Sequence, residues 1–126
     1  MIGGRVLDAS ALLAFATESS VYCAALVWTA AKESIVLAIP STAIAAAWAT
    51  LDVGKYPLLE VLLNLYVTVT DSLDGEQARA VGLLGGTQAD AHAIACARQR
   101  GWPLVTAEPA RYRPYGHTGV EIETLP

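Results

Sequence analysis

Charge is thin in this chain. Asp, Glu, Lys and Arg together make up 16% of the 126 residues, and lysine occurs only as Lys32 and Lys55. A protein that wraps nucleic acid by bulk attraction needs a dense basic surface, and a formal net charge of −4 argues against that mode. A small acidic site that meets nucleic acid through metal ions is still compatible with it. Cysteine is almost as scarce. Cys23 and Cys96 are far apart and neither belongs to a Cys-x-x-Cys or Cys/His cluster, so buried thiols in a reducing, cytoplasmic setting are expected. The opening Met-Ile-Gly-Gly-Arg lacks the basic-then-apolar layout of a signal peptide. Gly3-Gly4 and Gly85-Gly86 do not build Gly-x-Gly-x-x-Gly, which removes a dinucleotide fingerprint. A phosphoacceptor receiver domain, suggested superficially by Asp71 and Thr106, needs a lysine after its last core strand, and none is there.

One run from Ser34 to Leu51 carries no charge and is near the length of a short membrane span. Pro40, Ser41 and Thr42 interrupt it. The β-branched Ile35–Ile39 reads as a strand and Ala43 to Leu51 as a helix, so no membrane insertion is expected. What the chain does have is alanine-rich helical pattern alternating with short apolar strands. Strands are expected at Arg5–Asp8, Ile35–Ile39, Val67–Thr70, Pro103–Thr106 and Val120–Glu123. Between them lie helices at Ala9 to Phe15, from Ser19 or Ser20 to about Lys32, from Ser41 to about Leu51, and from Pro57 to about Leu65. A further helix starts at Asp74, where Gln77 completes a box-like cap, and ends near Gly85-Gly86. The clearest element runs from Thr87, a good N-cap, to the C′ stop Gly101, with Arg98 and Arg100 in its last turn. Helices between strands imply right-handed crossovers. The expected fold is therefore α/β, a three-layer α/β/α sandwich with a mostly parallel four- or five-stranded sheet, as a single domain over residues 1–126.

Three acids fall at structurally privileged places. Asp8 ends the first strand, Asp90 lies in the first turn of the Thr87 helix, and Glu108 follows the fourth core strand. In a parallel sheet all strand C-termini share one edge, where ligand crevices form. Each acid by itself has a plainer use as a helix cap or a partner for the helix dipole. Together, short of basic partners, they suit a hard cation such as Mg²⁺ or Mn²⁺. Arg111 and Arg113 follow Glu108 and are candidates for a phosphate backbone, against the plainer reading of a solvated turn. His92 lies about 200° round the helix from Asp90, which makes it a packing or surface residue. Trp28, Trp48 and Trp102 are too scattered for a base-stacking platform.

Three stretches in order, Val6-Leu7-Asp8-Ala9-Ser10-Ala11-Leu12-Leu13, Asp90-Ala91-His92-Ala93-Ile94-Ala95 and Leu104-Val105-Thr106-Ala107-Glu108, resemble a PIN domain, with the bacterial VapC-type toxin ribonucleases as the nearest group. The resemblance runs over nearly the whole chain. It implies a cytoplasmic Mg- or Mn-dependent ribonuclease on a parallel sheet, a homodimer, and an antitoxin of VapB type as partner. It assigns Asp8, Asp90 and Glu108 as metal-binding and catalytic acids, with Ser10 and Thr106 in support. Two departures stand out. Glu108 occupies a position where the family usually has Asp, and the family's second acid, expected near Ala46, is absent from Ala43-Ile44-Ala45-Ala46-Ala47. Glu18, Asp52 and Asp71 would substitute only if the fold brought them close. Weakened activity is one expectation; the alternative is a catalytically degenerate PIN domain that binds protein or RNA without turnover.

Overall fold

The computed structural model describes residues 3–126. Its core is a five-stranded, all-parallel sheet in the order β3-β2-β1-β4-β5, with β1 at Gly4–Leu7, β2 at Val36–Pro40, β3 at Thr68–Asp71, β4 at Leu104–Thr106 and β5 at Ile122–Thr124. The helices are α1 (Ala9–Ala16), α2 (Val21–Glu33), α3 (Ser41–Thr50), α4 (Tyr56–Leu63), α5 (Gly75–Leu84) and α6 (Gln88–Arg100), with 3₁₀ segments at Val53–Lys55 and Pro109–Thr118. Alternation along each strand sends neighbours to opposite faces. Leu7, Leu37, Ile39 and Val105 meet α1 to α4 on one side, while Val6, Ala38 and Leu104 meet α5 and α6 on the other. This is the expected three-layer α/β/α sandwich.

The caps explain most of the boundaries. Ser20 accepts from the Cys23 amide, Asp74 from Gln77 and Thr87 from Asp90, and Gly101 closes α6 at φ 69°. The uncharged run from Ser34 to Leu51 folds as the end of a turn, β2 and α3, and among the described residues no single helix is long and apolar enough to cross a membrane. Trp102 lies directly over Gly4, where any Cβ would collide with its ring, so the first residue of β1 has to be glycine. The last strand is displaced from its expected place at Val120–Glu123 to Ile122–Thr124. Gly119, at φ 74°, ends the preceding 3₁₀ segment, and the ladder to β4 begins only where the Glu121 carbonyl accepts the Leu104 amide at 2.9 Å and Leu104 pairs with Ile122. Cys23 and Cys96 are both free and buried, as expected.

Candidate functional site

From β1 the chain crosses to β2 and then β3 on one side of the sheet, while β4 and β5 extend the other side. The order therefore reverses between β1 and β4, and a crevice opens beyond their carboxyl ends. β1 pairs with β4 through Val6–Leu104 and Leu7–Val105, which sets Asp8 beside Thr106-Ala107-Glu108 as adjacency of the two strands requires.

Asp8 is 4% exposed and both its oxygens are satisfied. As the N-cap of α1, its Oδ1 accepts the Ala11 amide at 2.9 Å and the Ser10 hydroxyl at 2.7 Å. Its Oδ2 accepts the Tyr112 phenol at 2.6 Å. Because Ser10 has one hydroxyl proton and gives it to Asp8, the 3.1 Å contact between Ser10 and Thr106 requires Thr106 to donate. The result is a polarised chain from Thr106 through Ser10 to Asp8. The Ala107 amide donates to Ser10 and the Glu108 amide to Thr106, each at 2.9 Å, so the two hydroxyls tie the ends of β1 and β4 together. Burial, then the Asp8 charge, push the Tyr112 phenol far above its ordinary pKa and keep it a donor. Among the described residues no cation touches Asp8, and three neutral donors surround its carboxylate.

The other two acids meet a cation from their own chain. Arg111 donates from Nε to Asp90 Oδ1 at 3.1 Å and from Nη1 to Glu108 Oε2 at 3.2 Å. The Asp90 hydrogen bond leads the causes that raise the Arg111 pKa above its ordinary value. Asp8, Ser10, Ala46, Asp90, Glu108 and Arg111 all line one cavity of about 280 Å³. Ala46 stands on this wall without a donor, at the position where the resemblance asks for an acid. Glu18, Asp52 and Asp71 do not line it. Asp71 is instead held by Arg100 at 2.6 and 2.8 Å, well round the sheet edge. A roomier hollow of about 610 Å³ lies between α5 and α6, lined by Asp74, Glu76, Leu83, Arg98 and His117 among others, and holds none of the three acids.

The fit of a divalent cation can be judged from these contacts. Three carboxylates are the right donors for Mg²⁺ or Mn²⁺. Their arrangement is not right: among the described residues, no three His, Cys, Asp or Glu side chains stand close enough together to hold an ion. Arg111 binds two of the acids, and neutral donors cover the third. The pocket as it stands does not fit a metal.

Arg113 is exposed on the same 3₁₀ segment and does not line the cavity. His92 is fully buried and points away from the acids. Its Nδ1 meets Thr42 Oγ1 at 2.8 Å, and its Nε2 has no partner among the described residues. Burial pulls its pKa below the ordinary value, with Asp71 and Asp74 opposing. Tyr112 is the site residue that the sequence reading missed. Its signal was weak: a tyrosine four positions after Glu108, in a stretch read as a turn. Of the tryptophans, Trp48 stacks on Tyr56 at 4.7 Å and Trp28 meets Phe15 edge-on at 5.8 Å. Trp102 lies under the Arg100 guanidinium, 5.1 Å from it, so none of the three faces the acids.

No protein-family model matches this chain, and no protein of curated function matches it. Among solved structures the chain is similar to PAE2754 from Pyrobaculum aerophilum, at 24% identity and a TM-score of 0.60, over 89% of this chain and 79% of that one. That likeness establishes the three-layer α/β/α fold and carries no activity with it.

Proposed function

We propose that this chain is a PIN-type, Mg²⁺- or Mn²⁺-dependent ribonuclease of weakened activity that cleaves RNA phosphodiester bonds at the pocket of Asp8, Asp90 and Glu108. The observation that carries this reading is the convergence of those three acids on one cavity at the switch point between β1 and β4. Asp8 is the anchored acid, fixed by Ser10 and Tyr112, and Thr106 supports Ser10 in turn. Asp90 and Glu108 are the exchangeable ones, held by an arginine that solvent reaches. Arg113, exposed on the same 3₁₀ segment as Arg111, is the candidate for contact with the RNA backbone. A toxin role with an antitoxin of VapB type, a homodimer and a cytoplasmic setting complete the reading. Support for the homodimer comes from Val21, Tyr22 and Trp28, which α2 leaves exposed.

A second reading, a degenerate PIN domain that binds RNA or protein without turnover, is favoured by Ala46 and by the Arg111 contacts. One assay separates the two: cleavage of a mixed-sequence single-stranded RNA in Mn²⁺ by the wild type, Asp8→Asn and Ala46→Glu. The nuclease reading expects slow cleavage by the wild type, none by Asp8→Asn and faster cleavage by Ala46→Glu. Cleavage that Asp8→Asn leaves unchanged, or none from the wild type and Ala46→Glu alike, would overturn it.

A further inference from the structure

We propose that the hollow between α2 and the sheet, floored by Leu37, binds a small uncharged molecule with an apolar body and a single carbonyl head. The hollow holds about 290 Å³ and lies toward the amino ends of β1 and β2. It shares no lining residue with the acidic pocket and stands independently of how that pocket is read. Space is left here because the side chains that α2 sets over the sheet are small, Ala25, Thr29 and Ala30, while Val21 and Trp28 stay exposed. Leu26, Ile35 and Leu37 complete an apolar lining, with Leu37 fully buried at the bottom.

The polar groups at the rim select the head group. A parallel sheet covered on both faces carries near-continuous apolar residues. Arg5 breaks that pattern: it pairs in register with Leu37 and faces the same helical layer, and Glu123, the register partner of Val105, does the same from β5. The two side chains meet, Arg5 Nε donating to Glu123 Oε1 at 2.9 Å. Glu123 Oε2 accepts the Tyr22 phenol at 3.2 Å, so both carboxylate oxygens already accept. Arg5 also gives Nη1 to the Gly4 carbonyl at 2.9 Å, and among the described residues its Nη2 has no acceptor. A guanidinium only donates, so the unspent group at this rim calls for an acceptor on the ligand. Glu123 already balances the Arg5 charge, and a second carboxylate beside it would be repelled. A neutral carbonyl meets the donor without that repulsion, while the apolar body displaces water from Leu26, Ile35 and the small side chains of α2.

The test is a ¹H–¹⁵N correlation titration of the full chain with acetophenone, an aromatic methyl ketone, and with benzoate, its anionic counterpart of the same size. The expected result is saturable movement of the Ala25, Leu26, Ile35 and Leu37 amides, with a Kd of about 1 mM for so small a probe. Benzoate should bind about fivefold more weakly or worse, because its charge meets Glu123. Ala25→Phe, a change at an exposed position on the rim, fills the hollow and should abolish the saturable shifts. Arg5→Met keeps the stem and removes the donor, and should weaken acetophenone by about three- to tenfold. Spectral dispersion verifies that each variant keeps the fold. No saturation by about 10 mM acetophenone, or shifts confined to the exposed Val21 and Trp28 side of α2, would overturn the site. Benzoate binding as tightly as acetophenone, or acetophenone affinity unchanged in Arg5→Met, would overturn the assignment of a neutral carbonyl to Arg5.

Discussion

Replacing Tyr112 by Phe removes one oxygen and leaves the ring. That oxygen is the sole donor to Asp8 Oδ2 among the described residues, at 2.6 Å, in a place where Asp8 is 4% exposed and Tyr112 equally buried. Water has poor access to replace it, and the acceptor is a carboxylate. A hydrogen bond to a charged group contributes about 1.5–3 kcal/mol, and leaving a buried acceptor short carries its desolvation cost. The expected loss for Tyr112→Phe is therefore about 2 kcal/mol, a fall in Tm of roughly 6–10 °C for a domain of this size. Tyr115→Phe is the matched control, since that phenol is also buried but donates to the neutral carbonyl of Gly85 at 2.7 Å; about 1 kcal/mol is expected there. In an Asp8→Asn background the acceptor becomes neutral, and the cost of Tyr112→Phe should shrink to about 1 kcal/mol, a coupling that a double-mutant cycle reads directly. Urea unfolding of the four Asp8/Tyr112 combinations at neutral pH gives the numbers. A Tyr112→Phe loss below about 0.5 kcal/mol, or one unchanged by Asp8→Asn, would refute the claim that the phenol holds the Asp8 charge in place.

Other expectations follow from the same structure. Arg100 holds the Asp71 carboxyl below its usual pKa, so this pair adds stability above the unfolded value near about pH 4 and loses it as pH falls through the folded value. Asp71→Asn should therefore cost about 1 kcal/mol at neutral pH and flatten the acid limb of a stability–pH curve. Burial lowers the His92 pKa, so below about pH 6.5 the unfolded chain takes up a proton that the fold resists, and stability falls as pH drops. His92→Gln should remove that part of the slope between about pH 7 and 5 in chemical denaturation. Burial pushes the Cys23 thiol up to about 11 and Cys96 up to about 12. Neither should react with a thiol reagent at pH 8 in the native protein, and both should react once it is unfolded.

How far the sequence could be read differs from element to element. Thr87, Ser20, Asp74 and Gly101 act locally, through their own side chains or backbone freedom, and local signals survive in a linear reading. The alternation of Val6 with Leu7 and of Leu37 with Ala38 likewise showed through as short apolar strands. Adjacency of Asp8 and Glu108 was conditional on strand order, which no residue encodes alone; the pairing of β1 with β4 settles it. The partners of the acids were hidden for a different reason. Tyr112 reaches Asp8 across 104 positions and Arg111 reaches Asp90 across 21, and an arginine after an acid reads equally well as a solvated turn. His92 shows the limit of angular arguments. Its direction relative to Asp90 followed from helix geometry, but α6 buries seven successive residues, Ala91 to Ala97, so direction alone did not distinguish surface from interior. The β5 boundary moved because pairing with β4, which begins at the Glu121 carbonyl, sets where the strand starts, and strand propensity at Val120 does not.

The most direct test of the account is calorimetric titration of Mn²⁺ into the wild type and into Asp8→Asn. Asp8 is the one acid of the pocket that Arg111 does not touch and the one most firmly oriented. If the three acids share an ion, binding to the wild type is weak and saturable and disappears in Asp8→Asn. Binding that survives the substitution unchanged, or none at millimolar Mn²⁺, would contradict it.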